Sequence, residues 1–232
     1  MIRHLAAAVA LSFTVTSCDT LSNLPTGPFS EAEAATAIRQ ALEQGTGKGV
    51  SFLHRTDGFF GNEAYKLFLP PDAQRIETAL RSVGLGAQVD RAILQINRAA
   101  EDAVGFAKPI FVDAIKEMTI ADAINIVRGP RDAATQYFRQ KTTDKLIAAF
   151  SPVVKNSLDK LNATRYYADI VNTYNNFPTT FKKINPDLPS YVVGKAVDAL
   201  FDRIAIEEAN IRENPVARTT EILRKVFGAV SR

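Results

Sequence analysis

Residues 109–142 read PIFVDAIKEMTIADAINIVRGPRDAATQYFRQKT, and this stretch decides the fold. Its apolar residues recur at helical spacing, first as Phe111, Ile115 and Met118. They recur again at positions i, i+3, i+4 and i+7, the spacing of one buried helix face, as Ile120, Ala123, Ile124 and Val127. The pattern predicts three short helical segments that pack together, and we call residues 109–142 the hub.

Two sharp breaks separate the helical segments of the hub. Thr119 is typical of a helix N-cap, and Asp122 at the third helical position completes a capping-box-like pair. Gly129-Pro130 ends the second helix, because Gly suits a left-handed cap and Pro cannot continue the hydrogen-bond ladder. A third helix then begins near Asp132.

Helical patterns also flank the hub on both sides. Ser30–Glu33 is a capping box that opens a first helix, and Leu188–Glu213 carries the longest uninterrupted apolar stripe. Asn214-Pro215 combines an N-cap with Pro at the first helical position and predicts a last helix, while Ser151-Pro152 predicts a kink or a restart. We therefore expect an all-α protein with a single multi-helix domain. Residues 57–69 leave room for a short β arm or hairpin.

The composition allows a globular core and argues against one class of partner. The chain has 232 residues, 46% hydrophobic and 23% charged, enough for one large or two small domains. Its formal net charge is +3, and removing the leader described next takes away Arg3 and leaves 27 basic against 25 acidic side chains, a net charge of +2. Nucleic-acid-binding proteins concentrate basic residues in a stripe, which this sequence lacks, so we expect no nucleic-acid partner.

The first eighteen residues, MIRHLAAAVALSFTVTSC, have the pattern of a secretory leader. Arg3 and His4 form a short positive region, and Leu5–Val15 is mostly apolar. Such a short apolar run cannot span a bilayer of about 30 Å, which requires roughly 20 residues in a helix. We therefore expect residues 1–17 to be a signal peptide.

The segment Val15–Cys18 resembles the lipobox of bacterial lipoproteins, with small residues before a cysteine. The resemblance implies diacylation of Cys18, cleavage before it and acylation of the new N-terminus. Two or three acyl chains, at roughly 0.8 kcal/mol for each buried CH₂ group, make a stable membrane anchor. The alternative is an ordinary cleaved leader with an incidental cysteine. Because Cys18 is the only cysteine, the fold must stand without an intramolecular disulfide.

The chain divides into four parts if Cys18 is lipidated. Residues 1–17 are the signal peptide, residues 18–28 a lipidated tether, residues 29–228 the helical domain and residues 229–232 a tail. Such a protein is expected in the cell envelope, facing the periplasm. Asp19 resembles an inner-membrane retention signal, which slightly favours the inner membrane.

Five stretches resemble a family of bacterial proteins known as DUF4197, a domain of unknown function. They are DGFFGN (57–62), KPIFVDAIKEMTIADA (108–123), DAATQYFRQKT (132–142), SLDK (157–160) and NPVARTTEILRKVFG (214–228). The resemblance covers essentially the whole mature chain, roughly Phe29 to Gly228. It implies an exported, mostly helical domain. It implies no activity, cofactor or catalytic residue, because the family has none assigned.

Metal and histidine chemistry find little support in the sequence. After removal of the leader His54 is the only histidine, and Ser51, one helical turn before it, has no third group to orient the pair as in a catalytic triad. Zinc sites use Cys and His at set spacings, and this chain has too few of both. A carboxylate-only calcium or magnesium site stays open, although no DxDxDG-type loop occurs. We expect no metal and no cofactor.

Polar residues inside apolar stripes point to a buried network. Glu208 shares a helix face with Ile204, so it needs a partner, because burying a carboxylate alone costs several kcal/mol. Arg218 falls in the first turn of the predicted last helix, where a cation is unfavourable because it meets the positive end of the helix dipole. An ion pair with a nearby acid would offset this cost. We predict that Glu208 pairs with Arg218 or Lys141, and that Asn97 joins them.

The candidate set for this network also takes in polar residues of the hub. Its members are Asn97, Asp132, Gln136, Arg139, Lys141, Glu208 and Arg218. Two interpretations remain open. The pairs either lock the helix packing or line a pocket for a small anionic or zwitterionic ligand.

Aromatic side chains form a second candidate contact surface. Its members are Phe59, Phe60, Tyr166, Tyr167 and Tyr174. Tyrosine has an apolar body and a polar tip, so such a surface suits stacking on sugar rings or contact with a protein partner. In the alternative interpretation the tyrosines cap the helical core and the two phenylalanines tuck under the first helix.

These patterns predict a membrane-anchored lipoprotein that is a non-enzymatic binding or envelope-interaction module. Its partners would be the membrane, through the lipid anchor, and an envelope protein or small ligand bound in a groove beside the hub. One alternative is a carboxylate-based enzyme of the hydrolase type, with Glu208 or Asp132 as acid or base. Another is a lipid-binding protein with an apolar cavity. The enzyme is less favoured, because no catalytic set with the correct spacing occurs.

Overall fold

The structure, a computed structural model, describes residues 28–160, 162–176 and 182–230, without the side chains of Tyr166 and Thr173. Within these residues the regular secondary structure is helical, with no strand. The α-helices are α1 (Glu31–His54), α2 (Gln74–Ser82), α3 (Gly86–Val104), α4 (Ala107–Glu117), α5 (Ile120–Arg128), α6 (Ala133–Asp159), α7 (Ala163–Asn175), α8 (Leu188–Glu213) and α9 (Glu221–Val230). Two 3-10 turns cover Pro71–Ala73 and Pro215–Ala217. The all-α prediction is confirmed.

Helix α8 runs through the centre of the bundle and packs along α1, α3 and α6. It is antiparallel to α1, because Gly45 of α1 faces Glu207 while Gly49, one turn later, faces Arg203. A Cβ atom on either glycine would lie 3.5 to 3.6 Å from a Cβ atom of α8. Small residues at these positions therefore let the two helices approach closely.

Three phenylalanines join the hub to α8 in the core. The ring centroid of Phe111 in α4 lies 4.9 Å from that of Phe138 in α6 and 6.3 Å from that of Phe201 in α8. All three side chains are fully buried. Offset and edge-to-face aromatic pairs stabilise a core beyond the area they bury, so this cluster holds the hub on α8.

The helix caps predicted for α1 and α5 are confirmed. Ser30 Oγ accepts a hydrogen bond from the Glu33 N–H, and the Glu33 carboxylate accepts one from the Ser30 N–H. Thr119 and Asp122 form the same reciprocal pair at α5. Asp132 is the N-cap residue of α6, where the third hub helix was expected.

Two details of α5 and α6 differ from the predictions. Gly129 ends α5 with φ −77° and ψ 179°, which is extended rather than left-handed backbone. Glycine is needed there for space, since a Cβ atom would lie 2.7 Å from the Ala133 Cβ and from the Asn125 carbonyl oxygen. Of the kink or restart expected at Ser151-Pro152, the restart does not occur, because α6 continues through Pro152 as one helix of 27 residues.

The loop after α1 is fastened to α3 by a buried carboxylate. Oε1 of Glu101 accepts hydrogen bonds from the N–H groups of Phe59 at 3.0 Å and Phe60 at 3.2 Å. Arg98 donates to Glu101 at 2.6 Å and to Asp57 at 2.8 Å, so it ties the start of the loop to the same carboxylate. The DGFFGN stretch is therefore a structural joint.

The β arm or hairpin expected at residues 57–69 does not form. Its first part is the turn just described, in which Asp57 has a left-handed φ of 65°. In its last part, residues 66–69 have no regular hydrogen-bonded structure and pack on a helix rather than on another strand. A strand needs a neighbouring backbone to pair with, and a side chain fills that role here, as described below.

No helix in the described part of the chain combines the length and apolar character needed to cross a membrane.

We predict opposite effects for two glycine-to-alanine substitutions near α1. A Cβ atom at Gly58 would lie 2.4 Å from the Leu53 carbonyl oxygen, so Gly58→Ala should lower the free energy of unfolding by about 2 kcal/mol or more. Gly47 lies inside α1 with no atom within 4 Å of an added Cβ, so Gly47→Ala should raise it by about 0.5–1 kcal/mol. Urea unfolding of the mature chain measures both. Equal effects of the two changes would contradict the close approach at Gly58.

Candidate functional site

An open groove of about 540 Å³ runs along the N-terminal half of α8. We call it the α8 groove. One wall is formed by residues 64–74, and the other by five residues of α8: Tyr191, Lys195, Asp198, Ala199 and Asp202. Its volume is within the range of roughly 300–1,000 Å³ typical of ligand sites.

The helical wall of the groove follows from residue spacing. Tyr191, Lys195, Asp198 and Asp202 are separated by three or four residues, so they share one face of α8. At 1.5 Å per residue, this face is about 16 Å long. The opposite stripe of α8, which includes Val193 and Val197, is buried in the core. The helix therefore presents a polar face to the groove.

The second wall is a segment whose side chains alternate between inside and outside. Tyr65, Leu67 and Leu69 are buried, whereas Lys66 is half-buried and Phe68 is 52% exposed. Alternation with a period of two is typical of extended backbone. The segment therefore runs past α8 like a single strand.

Asn97 of α3 takes the place of a neighbouring strand for this segment. Its Oδ1 accepts a hydrogen bond from the Leu67 N–H, and its Nδ2 donates to the Leu67 carbonyl oxygen, both at 2.8 Å. The same Nδ2 donates to the Ile93 carbonyl oxygen at 2.7 Å. Asn97 is completely buried, so its amide satisfies backbone groups that would otherwise be buried without partners.

A tyrosine–aspartate pair closes one end of the groove. The Tyr65 hydroxyl donates a hydrogen bond to Oδ2 of Asp202 at 2.6 Å. Burial, with this hydrogen bond and the charge of Asp202, raises the pKa of Tyr65 to about 12. Tyr65 is therefore a neutral hydrogen-bond donor at ordinary pH, and it joins the segment to α8.

The charged groups of the groove fall into two kinds. Its carboxylates have partners, since Asp202 accepts from Tyr65 and Oδ1 of Asp198 lies 3.6 Å from Nη1 of Arg139. Its lysines form no ion pair within the described residues. Lys66 instead lies over aromatic rings, with Nζ 4.4 Å from the centroid of Phe60 and 5.7 Å from that of Phe68.

The other end of the groove lies beside α7. Burial, with smaller contributions from Tyr191 and Asp72, raises the pKa of Tyr167 to about 12. Burial also raises the pKa of Tyr191. Two neutral tyrosines therefore lie at this end, and Lys182 pairs with Asp72 next to it.

The predicted partner of Glu208 is replaced by another arginine. Nη2 of Arg212, one turn further along α8, donates to Oε1 of Glu208 at 2.8 Å, in place of Arg218 or Lys141. The same carboxylate accepts from the N–H groups of Ala134 and Thr135 at 3.0 and 2.8 Å and from the Thr135 hydroxyl at 2.8 Å. Glu208 therefore caps the N-terminus of α6 from the neighbouring helix. Only about 10 Å³ of free space lies beside it, room for about one water molecule.

Arg218 caps the C-terminus of a helix, whereas Glu208 caps an N-terminus. Because α9 begins only at Glu221, Arg218 lies in the turn before it and not in its first helical turn. Its guanidinium donates to the carbonyl oxygens of Ile211 at 2.9 Å and Arg212 at 2.7 Å, at the C-terminus of α8. A cation is favourable there because it meets the negative end of the helix dipole.

The other predicted network residues are dispersed. Asp132 accepts from Gln136 at 2.9 Å on the surface. Arg139 lies over the Phe201 ring and beside Asp198, and Lys141 is exposed over Tyr137. Asn97 forms hydrogen bonds with the backbone of Leu67 instead of with Glu208. The seven candidates therefore do not form one network, although Asp132 and Gln136 contact each other.

The aromatic surface is also divided. Phe59 is fully buried and Tyr167 is 9% exposed, so neither offers a ring to a partner, while Phe60 and Tyr174 are half-buried. The side chain of Tyr166 lies outside the described residues, and so does Cys18 with its predicted lipidation. His54 is exposed, with Nδ1 2.8 Å from the Glu101 carbonyl oxygen. In the described ranges no cluster of three or more Asp, Glu, His or Cys residues is arranged to hold a metal ion.

Sequence reasoning missed the residues that line the groove, above all Tyr65, Lys195 and Asp202. The available signal was the polar face of α8 opposite Val193 and Val197. A polar helix face usually faces solvent. It indicates a binding site here only because residues 64–74 lie across it, and the sequence does not show that contact.

Comparison with known proteins places the chain in a family. A family model described as "Protein of unknown function (DUF4197)" matches residues 28–228, so the chain belongs to this family. No curated protein and no solved structure matches it.

We predict that Glu208→Gln destabilises the fold. The amide would leave Arg212 without its carboxylate and turn an N–H₂ group toward the donors of α6, at a cost of about 2–4 kcal/mol. Glu213→Gln is the control, because Glu213 pairs with Arg131 on the surface and should matter much less. Chemical unfolding measures both variants. Similar losses of unfolding free energy in the two variants would show that the buried carboxylate stabilises the fold no more than a surface carboxylate does.

Proposed function

We propose that this DUF4197 protein is a membrane-anchored lipoprotein that faces the periplasm and is a non-enzymatic binding module. The α8 groove is its binding surface. The lipidated Cys18 keeps the domain at the membrane, and the groove engages an envelope component.

The observation that carries this proposal is the contrast between the groove and the buried acids. The groove combines an exposed aromatic ring at Phe68, a tyrosine hydroxyl and two lysines without an ion pair in the described part of the chain, in a volume suited to a ligand. The carboxylates of Glu208 and Glu101, by comparison, are fully engaged with backbone N–H groups and arginines. The ligand-sized groove along α8 is therefore not centred on a buried acid.

The position of the groove suits a tethered binding protein. The tether would join the domain near Ser30, at the N-terminus of α1, which at 1.5 Å per residue is about 36 Å long. Tyr65 contacts Phe52 in the last turn of α1, with ring centroids 6.2 Å apart. The groove thus lies at the end of α1 away from the tether, where an anchored domain can reach other components.

The alternative of a carboxylate-based enzyme has weaker support. The Glu208 oxygens accept from two backbone N–H groups, the Thr135 hydroxyl and the Arg212 guanidinium, and a carboxylate offers about four lone-pair sites. No site remains for a substrate proton. The alternative of a lipid-binding protein gains no support from the apolar space beside Glu208, because about 10 Å³ is too small for an acyl chain.

Lipid anchoring is tested by metabolic labelling with radioactive palmitate. The wild-type protein should incorporate label and partition with envelope membranes, because acyl chains on Cys18 hold it there. Cys18→Ala should incorporate none. Wild-type protein that stays unlabelled, or that keeps residues 1–17 after export, would contradict the anchor.

Binding through the groove is tested by photo-crosslinking in living cells. A benzophenone amino acid at Phe68, which lies in the groove wall, should give a discrete adduct in the envelope. The same amino acid at Ile147, 41% exposed on α6 and outside the groove lining, should give none. Lys195→Glu should remove the Phe68 adduct. Indistinguishable patterns from the two positions would contradict a binding role for the groove.

A further inference from the structure

We infer that the α8 groove binds an extended polypeptide segment with acidic side chains, which pairs with the free backbone edge at Phe68. The inference deepens the proposed function and rests on it, because it names the chemical class of the partner at the same groove.

The backbone edge follows from the way Asn97 holds the segment. In extended backbone the N–H and C=O groups of successive residues point to opposite edges. The groups of Leu67 point toward Asn97, so the Lys66 carbonyl and both Phe68 groups point the other way. Within the described residues these three groups have no hydrogen-bond partner. The Lys66 N–H, by contrast, donates a hydrogen bond to the Asn62 carbonyl oxygen at 2.8 Å.

We place this free edge on the groove side of the segment, because the residues that line the groove support that side. The groove is lined by the segment and by α8, and no residue of α3, the helix that carries Asn97, contributes to it. It therefore lies on the side of the segment opposite Asn97. An exposed edge with unpaired N–H and C=O groups is a template for another chain, and proteins use such edges to bind extended peptides.

The dimensions of the groove match a short peptide. Its helical wall, from Tyr191 to Asp202, is about 16 Å long, which corresponds to about five residues at 3.3 Å each. The aromatic ring of Phe68 on one wall and Tyr191 on the other give apolar contacts for alternate side chains.

The charges of the groove select the sign of the partner. Asp198 and Asp202 already have partners in Arg139 and Tyr65. Lys66 and Lys195 form no ion pair in the described part of the chain, and they lie on opposite walls. An extended peptide between the walls would place carboxylates within reach of both lysines, so acidic side chains are favoured over basic ones.

The test uses the full mature chain with Cys18→Ala, labelled with ¹⁵N and titrated with defined peptides. The probes are the capped pentapeptide Val-Glu-Val-Glu-Val, its lysine counterpart Val-Lys-Val-Lys-Val, and the glutamate peptide N-methylated at its central valine. The glutamate peptide should shift the amide signals of Phe68 and of Lys195. The lysine peptide and the N-methylated peptide should each bind at least about tenfold more weakly, through lost charge pairing and a lost backbone hydrogen bond respectively.

A pair of charge-reversal variants sharpens the assignment to the groove. Lys195→Glu should reverse the preference between the glutamate and lysine peptides. Lys108→Glu, an exposed lysine on α4 outside the groove lining, makes the same change in net charge and should leave the preference unchanged. An equal effect of the two variants would overturn the inference, because it would show attraction by overall charge.

The outcomes separate this inference from the proposed function. Equal binding of the N-methylated and unmodified peptides would overturn strand pairing at Phe68. Shifts at the groove with tetra-N-acetylchitotetraose but with no peptide would overturn the peptide inference and keep the groove as a binding surface. No shift with any probe, together with no adduct from Phe68 in cells, would overturn both.

Discussion

Backbone groups buried where helices meet loops must find hydrogen-bond partners, and this constraint organises the whole molecule. The clearest case is the N-terminus of α6. Its N-cap residue Asp132 makes no capping hydrogen bond and binds Gln136 instead. Glu208 of α8 supplies the cap from outside, and Arg212 balances its charge. The longest helix of the hub is thus positioned by a carboxylate from another helix.

The same solution recurs at two more joints. Glu101 accepts from the loop N–H groups of Phe59 and Phe60, and Asn97 holds both backbone groups of Leu67. Both residues lie on α3, one turn apart, so a single helix fastens the whole stretch between α1 and α2. Since this stretch forms one wall of the α8 groove, the groove exists because α3 holds its wall in place.

The hydrogen bonds of the buried carboxylates explain why these residues are poor candidates for a catalytic acid or base. A carboxylate whose oxygens already accept several strong hydrogen bonds has no free lone pair for a substrate, and its removal would loosen a helix end. The groove has the opposite character, because the Phe68 ring is exposed and its two lysines form no ion pair within the described residues. The polar side chains that hold the loop and the start of α6 are buried beside α3 and α6. The polar side chains that line the groove lie along α8.

The sequence by itself determined the helices, because their signals are local. The capping boxes at Ser30 and Thr119, the long apolar stripe at residues 188–213 and the burial of Glu208 can all be read from spacing along one helix. The family resemblance was equally readable, since it depends on sequence alone.

Tertiary structure alone decided which distant groups meet. Glu208 lies 74 residues from Ala134 in sequence, and Tyr65 lies 137 residues from Asp202, so no local pattern pairs them. It also decided that residues 66–69 stay a single extended segment, because a side chain on α3 replaces the strand that a β arm would need. Helix formation depends on neighbours within about four residues, whereas a groove depends on how whole elements pack, which is why the first could be predicted and the second could not.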